Sequence, residues 1–295
     1  MPIDCQSTLT APWTCHEGLL DPQGPVSAAE IAILIDASLI MLAIIVPTIL
    51  ATLGFAWWFR ASNPRAKYRP DFSYSGRIEL VVWSIPVMVI LLLGGVSWIG
   101  SHRLDPATPI ESSIAPLEVQ VVSLDWKWLF LYPSQGIASV NLLEVPAGTP
   151  VHFKLTSASV LSAFFVPQLG SMIYTMNGMT TQLNLMADRA GAYRGMSSHF
   201  NGDGFSNMHF TLLAVEPAQF ATWVAHARQA GPVLDAANYR ALTRQSINVA
   251  PYTFRAADAG LFGDIVMQTL PPGPGPEQSR LLNASPRIGG DDATH

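Results

Sequence analysis

The stretch Ser198–Leu213, SHFNGDGFSNMHFTLL, places His199 and His209 close together, with Met208 beside the second and Met196 just upstream. Imidazole and thioether groups in one loop are ligand types for copper. A soft copper or zinc centre also draws on thiolates, and the cysteines here are Cys5 and Cys15, both near the N-terminus. The body of the chain therefore has neither a disulfide framework nor a thiolate metal site. NMHFTLLAV reads as a half-buried strand, and the plain reading of His209 is a surface histidine on that strand. Glu79 stands at the head of an apolar run, four residues before Trp83. On the residues alone it marks a helix N-terminus, where the dipole favours a negative charge.

These residues need elements to hold them, and the composition says where those elements sit. The 295-residue chain is 49% hydrophobic and 13% charged, about half the charge share of a soluble protein, so part of it belongs in lipid. The net charge of -5 excludes a nucleic-acid binder, which needs a basic face. Ala37–Phe59 and Leu80–Ser101 each run without a charge, and both exceed the ~20 helical residues that cross a bilayer core. Trp57, Trp58 and Trp98 lie near the run ends, where indoles favour the headgroup boundary. Pro47 and Pro86 fall inside the runs, as membrane helices tolerate.

Orientation follows from the cations. The first 59 residues hold no Lys or Arg, whereas the connection RASNPRAKYRPDFSYSGR carries Arg60, Arg65, Lys67, Arg69 and Arg77 against Asp71. This connection is expected on the cytoplasmic side, with the N-terminus and everything after about Arg103 outside. The start MPIDCQSTLTAPWTC has neither the basic head nor the apolar run of a secretory signal. Lipid attachment at Cys15, a disulfide between Cys15 and Cys5, and a leader upstream of the present start stand as three open readings.

From about Pro116 to Glu216 the chain turns to short strands: LEVQVVS, WLFLY, SVNLLEV, VHFKLTS, TTQLNLMA and NMHFTLLAV, separated by turn material such as VPAGTP and NGDG. About a hundred residues of such strands read as a β-sandwich or barrel. The expected organisation is an outer N-terminal extension (1–30), a first membrane helix (31–59), a cytoplasmic loop (60–77), a second membrane helix (78–102), a β-sandwich (103–216), a helical C-terminal segment (217–270) and a disordered Pro/Gly-rich tail (271–295).

Three strings then carry a resemblance: IELVVWSIP at the head of the second apolar run, DWKWLFLYPSQGIASVN, and LSAFFVPQLGSMIYTMNGM. With two N-terminal membrane helices ahead of an outer sandwich, they resemble subunit II of the haem–copper respiratory oxidases over about Leu19 to Val266. Within that family the likeness is to the quinol oxidase branch, the cytochrome bo-type ubiquinol oxidases. The resemblance implies a cupredoxin-like sandwich. In the cytochrome c branch that sandwich holds a binuclear copper centre through the pattern Cys-x3-Cys-x3-His-x2-Met and an earlier His. Laid on this chain, the pattern puts Asn201 and Phe205 at the cysteines, His209 at the histidine, Leu212 at the methionine and Ser162 at the earlier histidine. Only His209 is a ligand type, so the resemblance implies a scaffold without its copper.

The remaining implications follow from the branch. No cofactor is expected on this chain. Neither apolar run contains a histidine, so haems and the oxygen-reducing copper are expected in a partner subunit I, with quinol as the substrate of the complex. Subunit I, further small membrane subunits and membrane lipid are the expected partners, with no cytochrome c, and a bacterial inner membrane is the expected location. By the motif match, Glu79 becomes a candidate for the entrance of a proton pathway into subunit I. Trp126 and Trp128 are expected to pack within the sandwich or against subunit I, and Asp125 and Lys127, alternating with them, to be solvated. Two other readings stand beside this one. The first is a copper-bearing subunit II of a cytochrome c oxidase, against which the missing cysteines count. The second is a membrane-anchored sandwich that binds an outer ligand, against which the DWKW string and Glu79 count.

Overall fold

The computed structural model describes residues 15–16, 20–67 and 69–275. The expectations for Cys5, for the side chain of Cys15 and for the tail from 276 onward fall outside the described residues. The chain forms two compact units, a helical hairpin (29–105) and an outer unit built from 106 onward together with residues before 29.

Helices α1 (Pro25–Trp58) and α2 (Gly76–Arg103) make the hairpin. At 1.5 Å per residue both exceed the ~30 Å hydrocarbon core, and both are apolar enough to cross it. Their Leu, Ile, Val and Trp side chains are exposed nearly throughout, so nothing in the hairpin itself covers them. Polar groups along the helices are satisfied locally, as a surrounding without water demands. Thr48 Oγ1 donates to Ile44 O at 2.7 Å and Thr52 Oγ1 to Thr48 O at 2.8 Å. At one end the helices approach closely: a Cβ on the buried Gly100 would sit 2.7 Å from Ile33 Cδ1.

The outer unit is a sandwich. In chain order its strands are β1 (Cys15–His16), β2 (Leu117–Leu124), β3 (Lys127–Tyr132), β4 (Ile137–Val140), β5 (Leu142–Pro146), β6 (Val151–Ser157), β7 (Ser162–Phe165), β8 (Ile173–Thr175), β9 (Thr181–Leu185), β10 (Gly191–Ser197) and β11 (His209–Val215). The C-terminal segment adds α3 (Pro217–Ala227), β12 (Val233–Leu234), α4 (Ala236–Leu242), β13 (Tyr252–Phe254), β14 (Ala256–Ala257) and α5 (Leu261–Val266). One sheet runs β13-β4-β3-β2-β6-β9; the other runs β5-β11-β10-β7-β8, with β1 against β10.

Two apolar cores explain the sequence patterns. VHFKLTS alternates because Val151, Phe153 and Leu155 face the inter-sheet core while His152 and Lys154 are half-buried outside. KWLFLY does not alternate, because its sheet is covered on both faces. Trp128, Phe130 and Tyr132 enter the inter-sheet core. Leu129 and Leu131 join a second core with Leu234, Tyr239, Leu242, Phe254, Leu261 and Phe262 from the C-terminal segment. That segment is therefore helical with interleaved strands, and β13 extends the sheet by pairing with β4.

The run SVNLLEV is not one strand. Asn141 adopts φ 54°, a left-handed conformation that Asn tolerates better than most residues. The chain there leaves one sheet as β4 and enters the other as β5. The asparagine side chain fixes the corner: Oδ1 accepts from Trp128 N at 2.9 Å, and Nδ2 donates to Val249 O at 2.8 Å. At the start of α1 the chain is tied to the loop after β7. Gln23 N donates to Gln168 O at 2.8 Å, and Ser27 Oγ donates to the same carbonyl at 2.7 Å.

Candidate functional site

The five positions that the family pattern marks lie on β7, on the loop after β10, on the 3-10 turn Phe205–Asn207 and on β11. β10 pairs with both β7 and β11, which brings the first two of them together. Asn201 Nδ2 donates to Ser162 Oγ at 2.8 Å and reaches Met208 Sδ at 3.0 Å. Ser162 is 1% exposed, Asn201 7% and Met208 0%. Trp126 roofs this cluster in a left-handed conformation, φ 64°, its Nε1 donating to Asn201 O at 3.4 Å. Gly204 is required beneath it, because a Cβ there would lie 2.3 Å from the indole.

The other three positions do not join the cluster. Leu212 is 1% exposed in the inter-sheet core. Phe205 packs its ring edge-on to Phe200 at 5.6 Å between centroids. His209 opens β11, and its ring turns toward Arg194 on the neighbouring strand rather than toward the Ser162–Asn201 pair. There Arg194 Nη2 stands 3.3 Å from its Nε2, and its Nδ1 is buried. Burial lowers the imidazole pKa, and the guanidinium of Arg194 lowers it further, against a hydrogen bond involving the Ser206 backbone that raises it. The ring is thus held neutral, facing a cation where a copper ligand would need to face a metal. His199 is exposed, with its ring 5.6 Å from that of Tyr174.

A binuclear copper centre asks for two bridging thiolates, two imidazoles and a thioether. A hydroxyl, an amide, a phenyl ring and an isobutyl group stand at four of the five positions, and the fifth is engaged by Arg194. These residues do not fit that metal. Among the described residues, no group of three or more His, Cys, Asp or Glu side chains gathers at any other place to hold one. Arg194 was not singled out from the sequence, and Met208 was noted there only as a thioether beside His209, not as a neighbour of Asn201. The strand alternation of GAYRGMS opposite HFTLLAV is the signal that relates Arg194 to His209.

The expectation that Asp125 and Lys127 are solvated is wrong. Asp125 is 3% exposed and Lys127 1%, because the chain beyond α4 closes over the loop between β2 and β3. Lys127 Nζ donates to Arg244 O and to Ser246 Oγ, each at 2.6 Å. Asp125 accepts from Ser159 Oγ and, at 3.1 Å, from Gly275 N. Burial brings the Lys127 ammonium down to about 8, with the charge of Asp125 opposing the shift. The DWKW loop thereby joins the sandwich to its C-terminal cover. Within the hairpin, Glu79 lies in the first turn of α2 and is exposed, and its Oε2 accepts from Trp83 Nε1 at 3.1 Å.

The fold and this site can be set against known proteins. Residues 119–215 match the family model for the cytochrome c oxidase subunit II periplasmic domain, and 228–273 match the COX aromatic rich motif. Cytochrome bo(3) ubiquinol oxidase subunit 2 of Pseudomonas aeruginosa is 46% identical over 252 residues, covering 85% of this chain and 76% of that protein. Ubiquinol oxidase subunit 2 of Acetobacter aceti is 44% identical over 254 residues, covering 85% and 82%. Among solved structures, the periplasmic domain of cytochrome oxidase subunit II of Bradyrhizobium japonicum aligns over 41% of this chain and 98% of that one, at 24% identity and a TM-score of 0.38. The chain, a helical hairpin carrying a cupredoxin-like sandwich, belongs to the subunit II family of the haem–copper respiratory oxidases, in its ubiquinol oxidase branch.

Proposed function

We propose that the chain is a copper-free subunit II of a proton-pumping terminal quinol oxidase, a complex that oxidises quinol and reduces oxygen to water. The chain is non-catalytic by itself. It scaffolds a haem-bearing subunit I, which holds the haems and copper, alongside further small membrane subunits. It lies in a bacterial inner membrane with the N-terminus and the sandwich on the periplasmic side. The observation that carries this reading is the hydrogen-bonded Ser162–Asn201 pair standing where copper ligands would be, together with Arg194 against His209. The physical logic agrees. A soluble electron donor docks from outside and needs an outer metal to receive its electron, whereas a lipophilic quinol reaches a site within the membrane directly. The outer sandwich is then free to clamp and cover the catalytic subunit.

Copper loading tests the reading. The full chain in detergent, treated with excess copper, desalted and left to oxidise in air, is expected to retain no stoichiometric metal and to show no intense visible absorption. A tightly held copper pair per chain would return the protein to the cytochrome c branch.

Glu79 is assigned, in the same reading, to the entrance of a proton pathway into subunit I. In this reading its exposed carboxylate at the head of α2, bonded by Trp83, collects protons from the cytoplasmic side and passes them to a buried water chain. In the assembled oxidase, Glu79→Gln is expected to lower turnover and proton uptake together while the haem content stays constant. Unchanged values of both would reduce Glu79 to a charge at a helix N-terminus.

A further inference from the structure

The connector between α1 and α2 carries chemistry that the proposed function leaves unused. Its cations, Arg60, Arg65, Lys67, Arg69 and Arg77, are all exposed and outnumber its single acid, Asp71. Aromatic rings are interleaved with them. Phe72 is 60% exposed and Tyr74 73%, and the connector leaves α1 through Trp57, Trp58 and Phe59. Rings exposed to this degree in a loop are poorly placed in water but well placed at headgroup depth, where an apolar body and a polar edge are both satisfied.

The start of the connector is built rather than loose. Arg60 stacks its guanidinium over Trp57 at 4.9 Å, donates from Nη1 to Trp57 O at 3.1 Å, and donates from Nε to Ser62 Oγ at 3.1 Å. Asn63 Nδ2 donates to Trp58 O at 2.6 Å, and its Oδ1 accepts from Arg65 N at 3.2 Å. These bonds cap the carbonyl end of α1 and turn the chain sharply off the helix. Because both helices end at this connector, it lies at a single membrane surface.

We propose that the connector is a binding surface for anionic phospholipid headgroups, with the phosphodiester and its negative charge held by the Arg and Lys side chains and the acyl chains laid against the aromatic rings. Charge complementarity selects this occupant. A planar guanidinium matches a phosphate with two parallel hydrogen bonds, and basic segments next to a membrane helix are attracted to anionic lipid. The inference rests on the reading that both helices span a bilayer.

The test uses the full chain carrying Trp98→Phe, which removes the tryptophan at the far end of α2 and leaves Trp57, Trp58 and Trp83 as lipid-facing reporters near the connector. It is reconstituted in mixed phosphatidylcholine and phosphatidylglycerol, with brominated acyl chains on one lipid or the other, and quenching of tryptophan emission is read. Quenching by brominated phosphatidylcholine alone checks that the helices are in the bilayer, and its absence would remove the membrane reading itself. With that established, phosphatidylglycerol is expected to be enriched several-fold at low salt. The enrichment should collapse toward unity at about 0.5 M salt, where the Debye length is only a few ångströms. It should also fall in each of Arg65→Gln, Lys67→Gln and Arg69→Gln, and approach unity when the three are combined. Equal quenching by the two lipids at low salt overturns the proposal. If the same substitutions then abolish co-purification with the haem-bearing subunit, the basic surface is a protein contact instead.

Discussion

Replacing Trp128 with alanine is expected to destabilise the outer unit by about 3–5 kcal/mol, the range for deleting a large buried aromatic side chain. Trp128 is 0% exposed and lies at the centre of an aromatic cluster. Its ring meets Phe164 edge-on at 5.5 Å and Phe210 at 5.6 Å, and those two stack on each other at 5.0 Å with a 17° interplanar angle. Truncation removes the apolar transfer energy, leaves a cavity between the sheets and breaks two aromatic pairs worth about 0.5–1.5 kcal/mol each. Trp128→Phe is the informative control. It keeps most of the volume and deletes Nε1, a buried donor with no partner, so it should cost less than about 2 kcal/mol. Urea unfolding of the detergent-solubilised chain, followed by far-UV circular dichroism, measures both. A loss below about 1 kcal/mol for the alanine variant would mean that the cluster does not hold the sheets together.

Gly195→Ala is expected to cost about 3 kcal/mol, the upper end of overpacking effects. Gly195 on β10 stands opposite Phe210 on β11, and a Cβ there would lie 2.0 Å from Phe210 Cζ and 2.2 Å from Cε2. The ring cannot swing aside, because Phe164, Trp128 and Phe130 surround it, the last at 5.2 Å between centroids. Strain must therefore pass into the strand pair that also sets the position of His209, which faces Met196 in the same register. Adding Phe210→Leu to Gly195→Ala should recover part of the loss, with a coupling of about 1–2 kcal/mol between the two sites. Strict additivity in the same urea experiment would show that the clash is not what destabilises the variant.

The sequence determined the parts of this protein that depend on neighbours along the chain. Two uncharged apolar runs are enough to specify membrane helices, because a bilayer rewards length and apolarity without regard to tertiary partners. Cations concentrated between those runs set the orientation to be expected. Alternation in VHFKLTS was legible as a strand with one face in a core, and the absence of cysteines beyond Cys15 was legible as the absence of thiolate ligands. Ser162, Asn201, Phe205, His209 and Leu212 were singled out only through a resemblance to the family pattern, since none but His209 announces a metal by its chemistry.

What the sequence could not decide is where groups distant along the chain meet. Asn141 sends one apolar run into two different sheets, and no local signal distinguishes that corner from a strand interior. Asp125 and Lys127 look like solvated charges in DWKW. They are buried because residues more than a hundred positions later, Arg244, Ser246 and Gly275, supply carbonyl, hydroxyl and amide partners. A charge leaves water only when such partners are already in place, and only the folded chain brings them there. The same holds at the positions the family pattern marks: the sequence shows that no thiolate stands there, but only the tertiary structure decides that Asn201 bonds to Ser162 and that Arg194 faces His209.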